Sequence, residues 1–387
     1  MTVTTRLVID VPGFDPRDPV ERHDAFAGEF RKTCALHGLT GNVGAAKPHP
    51  KRPAAKWDVT TAGDGWQVHT DYRLLRFDDI VREDLARPAW WKIVQMYRTT
   101  GVGVLNGSFR RLLGADWRFA AIAFSPLVLI TTWILLACFF GLLCMNLVLG
   151  MRAPDIVARI VGAVTGLGGF ASLLWLSEPI TGLLRRCDQA ATTDQIANRK
   201  RKDIEQRLDA LTDAMVDAVK KSDADEVLIV GHDLGAVLAM DIVGRALARD
   251  PDFAGERRLA LLTLGSTLPV LGFDPEAKWV RNRLRQLAVA PQLAWIDVQS
   301  PDDALIVCPF DPVADPALGL DADERRNPAV VSVRFRDLRK AGALPWRLTW
   351  SHGQYLRANE RSGAAYDFYL LCCGPLDATA RLTAPAK

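Results

Sequence analysis

A chain of 387 residues has the length of one large catalytic domain or two ordinary ones, which excludes a small disulfide scaffold or a bare peptide module. Its 48 Lys and Arg nearly balance 45 Asp and Glu, so it is no nucleic-acid binder relying on a strongly basic surface. The 49% hydrophobic content is unevenly spread: residues 119–149 and 160–177 contain no Asp, Glu, Lys, Arg or His, which argues against a uniformly soluble protein.

In chain order, residues 6–11, RLVIDV, form a β-branched run ending at Pro12-Gly13, a buried strand followed by a turn. An amphipathic helix is expected over residues 20–36, with Asp15, Asp18 and Glu21 before and within its start read as turn and capping residues. Residues 41–55, rich in Gly, Pro and Lys, read as a loop. Alternation on both sides of Gly63-Asp64-Gly65 predicts a β-hairpin within residues 57–77. Beyond Pro88, Trp90, Trp91 and Tyr97 with several arginines suit a helix at a membrane interface, or an ordinary surface helix with aromatic core contacts.

Residues 119–149 then supply 31 uncharged positions, apolar on every face, where ~20 suffice to cross a hydrocarbon core of ~30 Å. Residues 160–177 are shorter and hold four glycines, of which Gly162 and Gly166 form a small-xxx-small pair suited to close packing against the first helix. A buried core helix is the alternative for this second run. The ten residues 150–159 between the runs make a transmembrane hairpin the simplest geometry, with both ends on one side. Arg110, Arg111 and Arg118 precede it and Arg185, Arg186, Arg199, Lys200, Arg201 and Lys202 follow, against only Arg152 and Arg159 in the connector. That bias places the termini in the cytoplasm. No charged n-region followed by an apolar h-region opens the chain, so no signal peptide is expected.

After the hairpin, Ile204, Leu208, Leu211, Met215 and Val219 form one apolar helix stripe. Residues 226–230, EVLIV, read as a strand buried on both faces, residues 236–249 as helix, and residues 259–264, 294–298 and 330–335 as further buried strands. Strands alternating with helices predict an α/β fold, a mostly parallel sheet with helices on both faces. The hairpin is then an insertion, dividing the chain into residues 1–117, 118–184 and 185–387.

Between EVLIV and the following helix lies Gly231-His232-Asp233-Leu234-Gly235-Ala236. Strand, tight G-x-x-x-G turn and helix is the setting of a nucleophile elbow, and it resembles that of the α/β-hydrolase superfamily. Leu261 to Ser266 resembles the strand-end TLGS segment of lipase-like members. Val11-Pro12-Gly13-Phe14 resembles the strand-turn that supplies an oxyanion-hole amide, and the PGFDP opening is similar to that of membrane-anchored bacterial members. The position usually held by Ser is Asp233, as in the epoxide hydrolase and haloalkane dehalogenase branch, whose elbow often reads G-H-D-x-G. A carboxylate attacks an sp³ carbon to give an alkyl-enzyme ester that water then hydrolyses, whereas attack on a carboxylic ester would give an anhydride. The sequence departs from that branch in having Leu234 where a Trp commonly follows, and no tyrosine between Asp233 and His352.

The resemblance implies the order nucleophile, acid, histidine. His352, in Trp350-Ser351-His352-Gly353, is the only histidine after the elbow and reads as a base on a loop. Asp303 or Asp302 would sit at the carboxyl end of a strand as its partner, while Asp297, inside the strand, reads as structural. The amides of Leu234 and Phe14 would stabilise developing negative charge. His232 reads as a backbone hydrogen-bonding residue. His23, His37, His49 and His69 share no metal-ligand spacing, Cys372-Cys373 is no zinc motif, and no metal or cofactor is implied. The expectation is a membrane-anchored hydrolase, esterase or lipase-like in broad class, with the lipid bilayer and a small apolar substrate as its partners. The alternatives are hydrolysis of an epoxide or alkyl halide through an alkyl-aspartate ester, and an inactive membrane scaffold on a hydrolase fold.

Overall fold

The computed structural model describes residues 2–49, 52–320, 325–340 and 351–383. Its centre is a sheet of nine strands: β1 (Thr5–Val11), β2 (Thr40–Val43), β3 (Lys47–Pro48), β4 (Ala54–Gly63), β5 (Trp66–Leu75), β6 (Glu226–His232), β7 (Arg258–Leu264), β8 (Leu293–Gln299) and β9 (Ala329–Ser332). Their order is β2-β4-β5-β1-β6-β7-β8-β9, with β3 also paired to β4. From β5 to β9 every pairing is parallel, and β2, β3 and β4 form an antiparallel margin. β1 lies between β5 and β6, so chain from both sides of the apolar runs builds one sheet.

The apolar runs of β1 and β6 put them at the centre. A strand covered on both faces needs apolar residues at every position rather than every second one. Leu7, Ile9, Val227 and Ile229 enter the core on one face, with Leu208 and Met215 of α8 (Lys202–Lys220) and most of α9 (Leu234–Arg249). Val8, Leu228 and Val230 enter the other, with Phe26 and Phe30 of α1 (Pro19–His37) and with Tyr366 and Cys372. Helix α1 starts at a capping box, Asp18 accepting from the amide of Glu21 while Glu21 reaches back to the amide of Asp18, and stops at Gly38 in the left-handed region. The α8 stripe is buried as its spacing predicts, each such side chain contributing about 1.5–3 kcal/mol.

Three readings are corrected. The expected loop at residues 41–55 holds most of β2, all of β3 and the start of β4 at Ala54, and β2 and β3 are edge strands whose mostly exposed, polar residues give no apolar alternation. The 330–335 strand ends at Ser332, and Phe335 begins a short helical turn whose ring packs into the core. The connector shrinks to four residues, 151–154, because α5 (Trp117–Gly150) and α6 (Asp155–Thr181) take up its ends, Asp155 favouring a helix start.

Both α5 and α6 are long and apolar enough to cross a membrane, and few of their side chains are buried. Leu135, Phe139, Leu167 and Trp175 stand outward on them, unlike the core helix of a soluble protein. They touch through the predicted Gly162 and Gly166: a Cβ on Gly162 would lie 2.9 Å from the Gly141 carbonyl oxygen, and one on Gly166 3.3 Å from that of Ala137. In the chain, α2 (Asp78–Leu85), α3 (Ala89–Leu105), α4 (Ser108–Ala115) and α7 (Leu183–Ala197) join the hairpin to the sheet layer. The buried Lys92–Asp188 pair at 2.6 Å ties α3 to α7, and a Tyr97–Thr131 hydroxyl contact at 2.7 Å ties α3 to α5. Pro126 inside α5 cannot donate to the Ile122 carbonyl, which instead accepts from Ser125 and from the guanidinium of Arg186.

Candidate active site

The chain leaves β6 and turns directly into α9, and Asp233 sits at that turn with φ 57° and ψ −124°. A non-glycine residue there carries about 1–3 kcal/mol of strain, which the surrounding packing must hold. Two glycines make the turn possible. A Cβ on Gly231 would lie 2.3 Å from the carbonyl oxygen of Gly235, and a Cβ on Gly235 only 2.2 Å from that of Val11. The elbow is therefore pressed against the turn that follows β1, which brings Phe14 and Asp233 to one cavity.

His352 faces Asp233 from the other side of the chain, its Nε2 3.8 Å from Asp233 Oδ1. Its Nδ1 lies 2.7 Å from Oδ2 of Asp303, a fully buried carboxylate. Asp303 follows β8 in a turn closed by its own amide on the Ser300 carbonyl, and its other oxygen accepts from the amide of Leu305. Asp302 points elsewhere, accepting from the Arg336 amide at 3.2 Å. Asp297 bonds Thr263 and Gln299, and burial pushes its carboxyl up to about 6. Of the three candidate acids, Asp303 alone is bonded to His352. That histidine is not on a loop: it precedes a 3-10 turn, Gly353–Leu356, while Trp350 lies outside the described residues.

The electrostatics follow from burial and from this chain of partners. Burial opposes the charged form of His352, yet the hydrogen bond and charge of Asp303, with the charge of Asp233, hold its pKa above the ordinary value. Burial raises the carboxyl of Asp233 and Asp303 adds to the effect, against His352, the Gln189 side chain and the Leu234 amide, which favour the ion. Burial and neighbouring His352 push His232 well below its ordinary value. A neutral His232 donates through Nε2 to the His352 carbonyl at 3.0 Å, the backbone role expected of it.

Gln189 carries no signal in the sequence. It projects from α7, just after the apolar hairpin, and donates through Nε2 to Asp233 Oδ2 at 2.9 Å. Asp15 plays the turn role expected of it, accepting from the Arg17 amide at 3.1 Å, and its carboxylate also takes the guanidinium groups of Arg17 and Arg22, with Arg22 pairing in addition with buried Asp10 at 2.8 Å. Phe14 has a buried ring, and its carbonyl accepts from Arg185 at 3.2 Å. No group of three or more metal-ligating side chains is gathered among the described residues.

These groups open on a cavity of about 1340 Å³, above the ~300–1,000 Å³ usual for small-molecule sites. Its walls run from Asp233 and His352 past Phe109 and Phe119 to Leu129 of α5 and Ile180 of α6. No family model matches the chain, and neither a curated protein nor a solved structure matches it.

Proposed function

We propose that the chain is a hydrolase of the α/β-hydrolase fold, anchored in a bilayer by the α5–α6 hairpin, and that it acts on an apolar substrate through an alkyl ester on Asp233. The observation that carries this reading is the strained Asp233 turn aligned with His352 at 3.8 Å and, through it, with Asp303 at 2.7 Å. Asp233 follows β6, Asp303 follows β8 and His352 lies beyond β9, so nucleophile, acid and histidine succeed one another along the chain in the order of that superfamily.

The chemistry follows from the carboxylate. Asp233 attacks an sp³ carbon, the bond from that carbon to the leaving group breaks with its electron pair, and an alkyl-aspartyl ester forms. His352 takes a proton from water as the hydroxyl adds to the Asp233 carboxyl carbon. The bond from that carbon to the alkyl oxygen breaks, and the departing oxygen takes the proton from His352 to leave as the alcohol. The carboxyl loses its proton to solvent, restoring the carboxylate. Negative charge in that second step develops on an oxygen of Asp233 itself. The Leu234 amide and the Gln189 side chain already favour charge there. Tyr72 and Tyr369 line the cavity, but their hydroxyls are bonded to Asp10 and to the Leu356 carbonyl. A leaving group that departs as a stable anion, such as halide, therefore suits the site better than an epoxide oxygen needing a proton.

The test is a single turnover in ¹⁸O-labelled water with long-chain 1-haloalkanes, terminal epoxides and esters, followed by mass spectrometry of the Asp233 peptide. The expected result is label in the Asp233 carboxylate with a haloalkane or epoxide. Ester turnover with label only in the product acid would support the broader esterase or lipase-like class and reject the alkyl-aspartyl route. No turnover of any of the three, unchanged by His352→Ala, would leave a scaffold.

A further inference from the structure

Three observations converge on the cavity wall formed by α3, α5 and α6. The first is depth: the lining residues of α5 run from Phe119 to Leu129, the first ten or so residues of the uncharged run, or about 15 Å at ~1.5 Å per residue. The second is an opening on the hairpin's outer face, since Ile180 lines the cavity and is 83% exposed, and Val102 of α3 lines it and is 38% exposed. A purely aqueous cleft would not be walled by a membrane-grade helix along this length.

The third is charge. Of the cavity's carboxylates away from the elbow, Asp10 and Asp15 pair with Arg22, Glu29 with Lys32 and Asp194 with Lys200, while Asp274 accepts hydrogen bonds from Asn106 and the Glu276 amide. Arg185 and Arg186 also line it, directly after α6, and neither meets a carboxylate among the described residues. Arg185 donates to the Phe14 carbonyl, and Arg186 to the Ile122 carbonyl and Ser125 hydroxyl, which leaves most of their five donors each for something else. On α7 they precede Gln189 by four and three positions, so all three share a face about 5–6 Å apart, and Gln189 touches Asp233.

We infer that this cavity binds an anionic amphiphile drawn sideways from the bilayer, its chain between α3, α5 and α6 and its carboxylate or phosphate head on Arg185 and Arg186. The inference rests on the proposed hydrolase reading only in naming this amphiphile as the substrate; the binding stands without it. It places the reacting carbon within about one helical turn of the anionic head.

The experiment uses the full chain in phosphatidylcholine nanodiscs with a long-chain fatty acid carrying a diazirine near its chain end. A lysophosphatidic acid with the same chain and the fatty-acid methyl ester are run beside it. Photolabel mapped by peptide mass spectrometry is expected at the inward-facing Leu112 and Phe119, 7% and 8% exposed, and to be displaced by unlabelled acid. Arg185→Gln should weaken that labelling about tenfold or more, the value of a charged hydrogen bond, and Arg185→Lys should restore part of it. Gly103→Phe, which puts a ring into the cavity where a Cβ meets nothing within 4 Å, should weaken labelling with both arginines intact. Capture of the acid or of the lysophosphatidic acid supports the inference and says which head is held. Equal capture of the methyl ester, or label confined to outward residues such as Leu135 and Leu167, overturns it. Asp233→Asn separates this from the chemistry: labelling should persist while turnover is lost.

Discussion

His352 sets the pH dependence of the proposed reaction. A general base must be neutral to take a proton, and the Asp303 hydrogen bond and charge favour the protonated ring against the effect of burial. Activity should therefore rise with pH through a value above the ordinary histidine one. In Asp303→Asn the charge is gone and burial is less opposed, so the pKa of His352 falls. The rising limb of kcat against pH then moves to lower pH, while the plateau drops by about 10²–10⁴-fold as the base loses its orientation. A kcat profile whose limb stays in place would remove Asp303 from this role. The elbow and the histidine were legible because each is a local string or the last of its kind in the chain. The choice among Asp297, Asp302 and Asp303 was not, because it depends on one turn, the Asp303 amide on the Ser300 carbonyl, which sends neighbouring carboxylates opposite ways. Gln189 lies 44 residues from Asp233 and reaches it only through the way α7 crosses the elbow, which no spacing along the chain encodes.

Elements with a periodic burial pattern were readable, and those defined by their neighbours were not. The α8 stripe and the β1 and β6 runs declare their buried faces in sequence, whereas β2 and β3 are strands only because β4 pairs with them. The hairpin lies between these cases: the Gly162–Gly166 spacing announced a close contact but not its partner, which the structure places at Gly141 and Ala137. That contact is sensitive to volume. Gly141→Leu pushes a side chain into the Gly162 carbonyl and should cost about 1–3 kcal/mol, read as a lower midpoint of unfolding in detergent. Gly168→Leu is the control, since a Cβ there meets nothing within 4 Å. Equal loss in both variants would mean that α6 is sensitive to any change and that the Gly141 contact is not the cause.

At the scale of the whole molecule, the sheet is assembled from chain on both sides of the hairpin, so both flanks must lie on the same side of any membrane that α5 and α6 cross. This constraint is independent of charge, and the charge bias agrees with it: six basic residues at 185–186 and 199–202 follow the hairpin, three precede it, and only Arg152 and Arg159 sit near its turn. The proposed topology has the sheet and the Asp233 cavity on the cytoplasmic side and the 151–154 turn on the far side. A reporter pair fused after Ala153, one half fluorescing only in the cytoplasm and the other enzymatically active only outside it, reads this directly. The outside signal is expected at Ala153, and the cytoplasmic signal from a fusion at the chain's end. A cytoplasmic signal at both sites would mean that the helices lie on the membrane or pack with a second copy, and would remove lateral entry from the bilayer core. A cytoplasmic signal at Ala153 with an outside signal at the chain's end would instead invert the protein and leave the sheet, the Asp233–His352–Asp303 arrangement and the cavity intact. Only the first result touches the lipid-facing opening, because that depends on α5 and α6 being surrounded by acyl chains rather than on the side the sheet occupies.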